Sequence, residues 1–262
     1  ARSEKDGRQI VVRTKNVARL MLPRFPKGQT ITLDGARFVW PPQASAAEAW
    51  QFVKQDGAWK LATGKKNAAF PPHKRRGLQG PIDDAFMESF LCVRPTGVPN
   101  HALVNDAART RLDLFAKEFS KWMRGDVRLK NDAVVTKDDI ASHNLILFGD
   151  PASNRLIAQI AGNLPIRWTK ASITVGGKSF SAADHILVMI YPDPLNPDRY
   201  VVLNSGHTFG EKEFRCTNAL LFPRLGDYAV IKLTKAPDGK VSEEVVLAGL
   251  FNEQWQLAEP TR

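Results

Sequence analysis

The 262-residue chain is poor in the residues that most metal and thiol chemistry needs, with two cysteines and five histidines. Two cysteines make neither a disulfide framework nor a four-ligand zinc site, and Cys92 and Cys216 can pair only if the fold brings their Cα atoms within about 7 Å. His73, His101, His143, His185 and His207 stand singly, without the H-x-x-x-H spacing that puts two imidazoles on one helix face. No apolar run approaches the ~20 residues that cross a bilayer. The first thirty residues carry charges throughout and have no apolar centre of the signal-peptide kind. G-x-S-x-G is absent; its nearest approach, Gly177-Lys178-Ser179-Phe180-Ser181, lacks the second glycine. A Gly-rich phosphate cradle is also missing, because GDPASN (149–154) has one glycine and no lysine. These absences argue against a membrane helix, a zinc site and the strand-to-helix serine elbow.

What is present is positive charge and enough apolar residue for a core. Lys and Arg number 37 against 27 Asp and Glu, a formal +10, and 43% of residues are hydrophobic. Such an excess attracts polyanions. The compact cluster is Lys74-Arg75-Arg76, near Lys65 and Lys66, in a Gly/Pro-punctuated stretch without the interleaved aromatics that stack bases. The cluster therefore reads as a solvated basic linker, and no dedicated nucleic-acid binding is expected.

Three segments follow. Residues 1–70 read as a β-rich module, because RQIVVRTKNVARLML, TITLDGARFVW and AWQFVKQDGAWKLA are short β-prone runs parted by turn residues. Asp34-Gly35 and Asp56-Gly57 predict hairpins, with Trp50, Phe52 and Trp59 covering a sheet face. Residues 71–84 form the linker, and 85–262 an α/β domain. Within it, Leu112, Phe115, Phe119 and Trp122 lie on one stripe of a helix over 105–123, with Asn105 or Asp106 as cap. NLILF, ILVMIY, YVVLN, YAVIKL and EVVLAGLF read as strands, and SITVGGKSF as a Gly-Gly hairpin. Strands alternating with helices predict a three-layer fold around a mostly parallel sheet.

In an open α/β sheet, ligands gather beyond the carboxyl ends of the strands. Asp150, Ser153, Asn154, Asn204, Ser205 and His207 all follow such ends and would converge if their strands were neighbours. A serine nucleophile needs a base within hydrogen-bond reach and an acid behind that base. Ser205, His207 and Asp150 are the candidates for those roles, although residues i and i+2 seldom meet in that geometry. Ser153, Asn154 and Asn204 are candidate ligand contacts. Asp193, Asn196 and Asp198 offer oxygens that calcium would accept, with a spacing unlike an EF-hand; no other cofactor is indicated.

GLQGPIDDAF (77–86), NLILFGDPASNRLI and above all NPDRYVVLNSGHTF with TNALLFPRLGDYAVI resemble the C-terminal region of large secreted bacterial hydrolases of the prolyl-oligopeptidase-like or esterase-like kind. The likeness extends over most of the chain. In those proteins the α/β-hydrolase domain lies upstream of this region, which has no assigned chemistry, so no catalytic residue carries over. The resemblance implies a secreted or periplasmic accessory or interaction region whose partner is the upstream catalytic domain or a polymeric, anionic substrate. The alternative is a stand-alone hydrolase of small esters or lactones.

Overall fold

A computed structural model describes residues 2–3, 9–22, 30–39, 50–61 and 72–257. The chain divides into two compact bodies, residues 1–69 and 70–262.

The first body is built of strands. β1 (Arg2–Ser3), β2 (Gln9–Val12), β3 (Arg19–Leu22), β4 (Thr30–Leu33), β5 (Ala36–Val39), β6 (Trp50–Gln55) and β7 (Ala58–Leu61) form a four-stranded sheet, β1-β2-β4-β5, and a three-stranded one, β3-β6-β7. Alternation sends Ile10, Val12, Ile31 and Leu33 from one sheet and Trp50, Phe52 and Trp59 from the other into a common core. Both Asp-Gly pairs turn hairpins, Asp34 and Asp56 taking φ of 47° and 51° before glycines at 91° and 80°, the left-handed pair a tight turn demands. Asp34 also ties the two sheets together. Its carboxylate accepts the Thr14 hydroxyl at 2.5 Å, Trp59 Nε1–H at 2.9 Å and Thr14 N–H at 2.6 Å, and these bonds, that of the Thr14 hydroxyl foremost, hold its pKa down at about 2.

The second body contains β8 (Phe90–Arg94), α1 (Ala102–Met123), β9 (Leu129–Asn131), α2 (Lys137–Ser142), β10 (Asn144–Leu147), α3 (Arg155–Ile160), β11 (Arg167–Trp168), β12 (Ser172–Val175), β13 (Lys178–Ser181), β14 (His185–Asp193), β15 (Asn196–Leu203), α4 (Glu211–Phe214), β16 (Tyr228–Lys235) and β17 (Val241–Gly249). Its main sheet runs β17-β16-β14-β15-β10-β8-β9, and β11-β12-β13 form a small separate one. The expected Gly176-Gly177 hairpin joins β12 to β13.

The mostly parallel three-layer α/β fold predicted from the sequence is not what forms. Among the described residues strand makes up 38% and helix 24%, and the main sheet is mixed. β8 is parallel to β9 and β10, and β10 to β15, but β14 runs antiparallel to β15 and β16, and β16 to β17. The cause is connection length. β14 and β15 are joined by Pro194 and Leu195 alone, which closes only an antiparallel pair, since a parallel crossover needs a dozen residues or more. The Asn196–Arg199 stretch, which lies before the expected strand YVVLN, is the first half of β15.

The buried core follows the sheet from Phe90–Val93 through Leu145–Leu147, Val201–Leu203 and Ile186–Ile190 to Ala229–Ile231. α1 lies against β14 and β16 and buries Val104, Ala108, Leu112 and Phe115. It begins at Ala102, three residues before the expected cap, with His101 at the cap position. The basic cluster also departs from expectation. The Lys74 ammonium meets Asp227 Oδ2 at 2.6 Å with side-chain exposures of 14% and 0%, and Arg75 meets Asp198 at 2.6 Å. Leu78 is buried as well, so 72–84 is packed into the second body rather than solvated. Pro71 of the expected linker, and Lys65 and Lys66 before it, lie outside the described residues. Cys92 is buried, its thiol pushed up to about 12 by burial, and Cys216 is exposed; both are free.

Candidate functional site

The parallel strands β8, β10 and β15 end side by side, and the residues that follow them do meet. Asn204, at φ 52°, takes the left-handed turn after β15. Its Oδ1 accepts Gly149 N–H at 2.8 Å, and its Nδ2 donates to Gly149 O at 3.0 Å and Leu187 O at 3.1 Å, so one buried amide joins the ends of β10 and β15 to β14. Asp150 caps the next turn. Its carboxylate accepts N–H from Ala152 at 3.0 Å, Ser153 at 2.7 Å and Asn100 at 2.8 Å. Ser153 Oγ accepts Asp150 N–H at 2.9 Å. Asn154 Oδ1 accepts Leu156 N–H at 3.0 Å at the start of α3, while its Nδ2 donates to Phe148 O at 2.9 Å. Each of these side chains replaces a backbone partner that the strand or helix end would otherwise lack.

The loop after β8 closes over this cluster. Gly97 N–H donates to Ser153 O at 2.8 Å, and a Cβ on Gly97 would come within 2.7 Å of Ala152 O. Thr96 Oγ1 donates to the buried Asp132 at 2.6 Å, and Arg155 N–H donates to the other oxygen of that carboxylate at 2.8 Å. The loop after β8 is thus bonded to the turn after β10 at the ends of the parallel strands.

Ser205 and His207 turn away from each other's chemistry. Ser205 Oγ donates to Gly206 O at 2.9 Å. The His207 ring is enclosed by Phe86, Phe209, Phe115 and Phe119 at centroid distances of 4.6, 4.8, 5.4 and 6.3 Å. Neither of its nitrogens is hydrogen-bonded. The acid beside it is Asp83, with Oδ1 3.8 Å from Nδ1, rather than Asp150. Asp83 itself accepts Thr208 N–H at 2.8 Å and the Thr208 hydroxyl. Nothing in the sequence singled out Asp83, because it lies 124 positions from His207 and meets it only through the 3-10 turn Ile82–Phe86.

Gly206 is required for close approach rather than for its dihedral angles. A Cβ there would run into the Phe115 ring of α1. Gly206→Ala is therefore expected to destabilise the second body by about 1–3 kcal/mol, as overpacked core positions do, and guanidinium melts of the two proteins measure it.

The three oxygen residues suggested for calcium answer to different partners. Asp193 is buried at 1% exposure on the β14–β15 turn, with Oδ1 accepting Leu195 N–H at 2.8 Å and Oδ2 unpartnered. Burial raises its pKa to about 7 against the opposing Leu195 bond. Asn196 Nδ2 donates to Ile140 O at 2.9 Å at the end of α2, and its Oδ1 accepts Asp198 N–H at 3.3 Å. Asp198 is held by Arg75. Among the described residues no group of three or more His, Cys, Asp or Glu is arranged to hold a metal ion. Nor, among them, is any helix long and apolar enough to cross a membrane.

Two further polar contacts tie distant elements to the main sheet. Tyr200 OH donates to Asp84 at 2.5 Å and accepts Gly80 N–H at 3.0 Å; burial, then the Asp84 bond, raises its pKa. Arg111 forks onto Glu243 of β17 at 2.9 and 2.5 Å and donates to Asn204 O at 3.4 Å. Comparison with family models, with curated proteins and with solved structures finds no match for this chain.

Proposed function

We propose that the chain is a non-catalytic accessory or interaction region of a secreted bacterial hydrolase, holding a partner catalytic domain or a polymeric, anionic substrate. One observation carries this reading: the polar side chains at the ends of β10 and β15 are spent on the protein's own backbone. Ser205 Oγ donates to Gly206 O, and Asp150, Ser153, Asn154 and Asn204 cap turns and strand ends. A nucleophile needs a base within about 3 Å, and the base nearest in sequence, His207, has no hydrogen-bonded partner. The likeness of NPDRYVVLNSGHTF to the region downstream of secreted hydrolase domains supports the same reading.

The alternative, a stand-alone hydrolase of small esters or lactones, draws on the approach of Asp83 to His207. Short-chain nitrophenyl esters and an acyl lactone, offered to the purified chain with and without chelator, separate the two. We expect no turnover above background, and folded Ser205→Ala and His207→Ala proteins that behave as the parent. Robust turnover lost by about ten-thousand-fold in a folded Ser205→Ala protein would install the hydrolase. Chelator-sensitive turnover would install a metal-dependent one.

A further inference from the structure

The +10 is not shared between the two bodies. Residues 1–69 carry 13 Lys and Arg against 5 Asp and Glu, a net +8; residues 70–262 carry 24 against 22, a net +2. A quarter of the chain holds four-fifths of its charge. In the second body the cations find anions: Lys74 with Asp227, Arg75 with Asp198, Arg111 with Glu243, Lys130 with Asp139, Arg199 with Glu88. In the first body one ion pair is found among the described residues, Lys54 with Asp34 at 3.7 Å. Arg13, Lys15, Arg37 and Lys60 are exposed.

Strand register places these cations around the body. Arg37 lies across from Thr32 on the outer face of the four-stranded sheet. Lys60 lies across from Val53, with Arg19 on the other side of Val53, on the outer face of the three-stranded sheet. Arg13 and Lys15 follow β2. The aromatics are directed the other way. Among the described residues of this body, Phe38, Trp50, Phe52 and Trp59 all pack into the shared core, leaving no platform for a base or a sugar ring.

We infer that the first body is a docking module for a linear acidic polysaccharide, bound through carboxylate or sulfate groups. This deepens the reading of an accessory region and names the substrate class it would hold. Among the described residues, the inward-facing aromatics leave charge as the means of recognition, which disfavours neutral glycans and base-stacked single strands. Cations on both outer faces suit a flexible chain that wraps around the body, whereas a bilayer surface meets one face and a duplex presents phosphates on a rigid lattice.

The test titrates the full chain with polygalacturonate, a sulfated dextran, a short DNA duplex and phosphatidylglycerol vesicles between about 50 and 200 mM salt. Polygalacturonate or the sulfated dextran should bind most tightly, with affinity falling as salt rises. The variant Arg13→Gln/Lys15→Gln/Arg37→Gln/Lys60→Gln should weaken that binding by about tenfold or more and flatten its salt dependence. Lys117→Gln/Lys137→Gln/Lys178→Gln/Lys235→Gln removes the same charge from exposed positions of the second body and should change it less than about twofold. Equal weakening by the two variants, no binding to either polysaccharide, or tighter binding to duplex or vesicles would each overturn the inference. The accessory reading fails by a separate measurement, Ser205-dependent turnover of small esters, so the two failures are distinguishable.

Discussion

Lys74→Met should destabilise the second body by about 3–5 kcal/mol, the usual result of stranding one member of a buried ion pair. Asp227 is fully buried, and its Oδ2 accepts both the Lys74 ammonium at 2.6 Å and Phe251 N–H at 2.8 Å. Oδ1 has no partner, and a Cβ on Gly80 would collide with it, which leaves no space for a compensating side chain. Lys74 also sits 5.1 Å from the centre of the Trp255 ring, so methionine preserves the packed stem and removes only the charge. Burial already raises the Asp227 pKa against the pull of Lys74. Without the ammonium it rises further, and a carboxyl that is more basic folded than unfolded stabilises the fold at acid pH and loses that contribution as pH rises. The defect should accordingly be smaller near pH 5 than near pH 8. Adding Asp227→Asn to Lys74→Met should recover most of the loss, because no buried charge then remains. Guanidinium midpoints, with hydrogen exchange across β14 and β16 to localise the opening, measure all three proteins. A loss under about 1 kcal/mol for Lys74→Met would show the pair to be solvated and its cost already met by water.

The second large effect is expected at Asp193, and there the substitution should stabilise. Its carboxyl is raised by burial from 3.8 to about 7, so folding takes up a proton between those two values. Wild-type stability should fall as pH rises from about 4 to about 7 and then level off. About three units at 1.36 kcal/mol each set an upper bound near 4 kcal/mol. Asp193→Asn keeps an acceptor for Leu195 N–H and resembles the protonated acid in size and charge. It should match wild type near pH 4 and exceed it by about 2–4 kcal/mol at pH 8, with the slope between gone. Parallel stability curves for the two proteins across that range would mean that the carboxyl reaches water.

Much of the local structure was legible because its causes lie within a few residues. Asp34-Gly35, Asp56-Gly57 and Gly176-Gly177 make hairpins through backbone freedom at the turn itself. The Leu112 and Phe115 stripe places α1 on the sheet by its own periodicity. The strand-end cluster was legible in part. Asp150, Ser153, Asn154 and Asn204 do gather, as adjacent strand ends require. What was not legible is that they bond the protein's own backbone, since a carboxamide reads the same in sequence whether it caps a strand or faces a ligand.

Sequence alone determined the Asp-Gly and Gly-Gly hairpins, the apolar segments of the main-sheet strands and the buried stripe of α1, because these follow from side-chain spacing and from the φ values that Asp-Gly and Gly-Gly accept. Tertiary structure alone decided the order of strands in the main sheet, the Asp83 neighbour of His207, the inward-facing Asp193 and the burial of Lys74 against Asp227. Lys74 and Asp227 lie 153 positions apart. Such pairings arise from the topology of the sheet, and no local spacing along the chain encodes which charge will be carried into the interior with which partner.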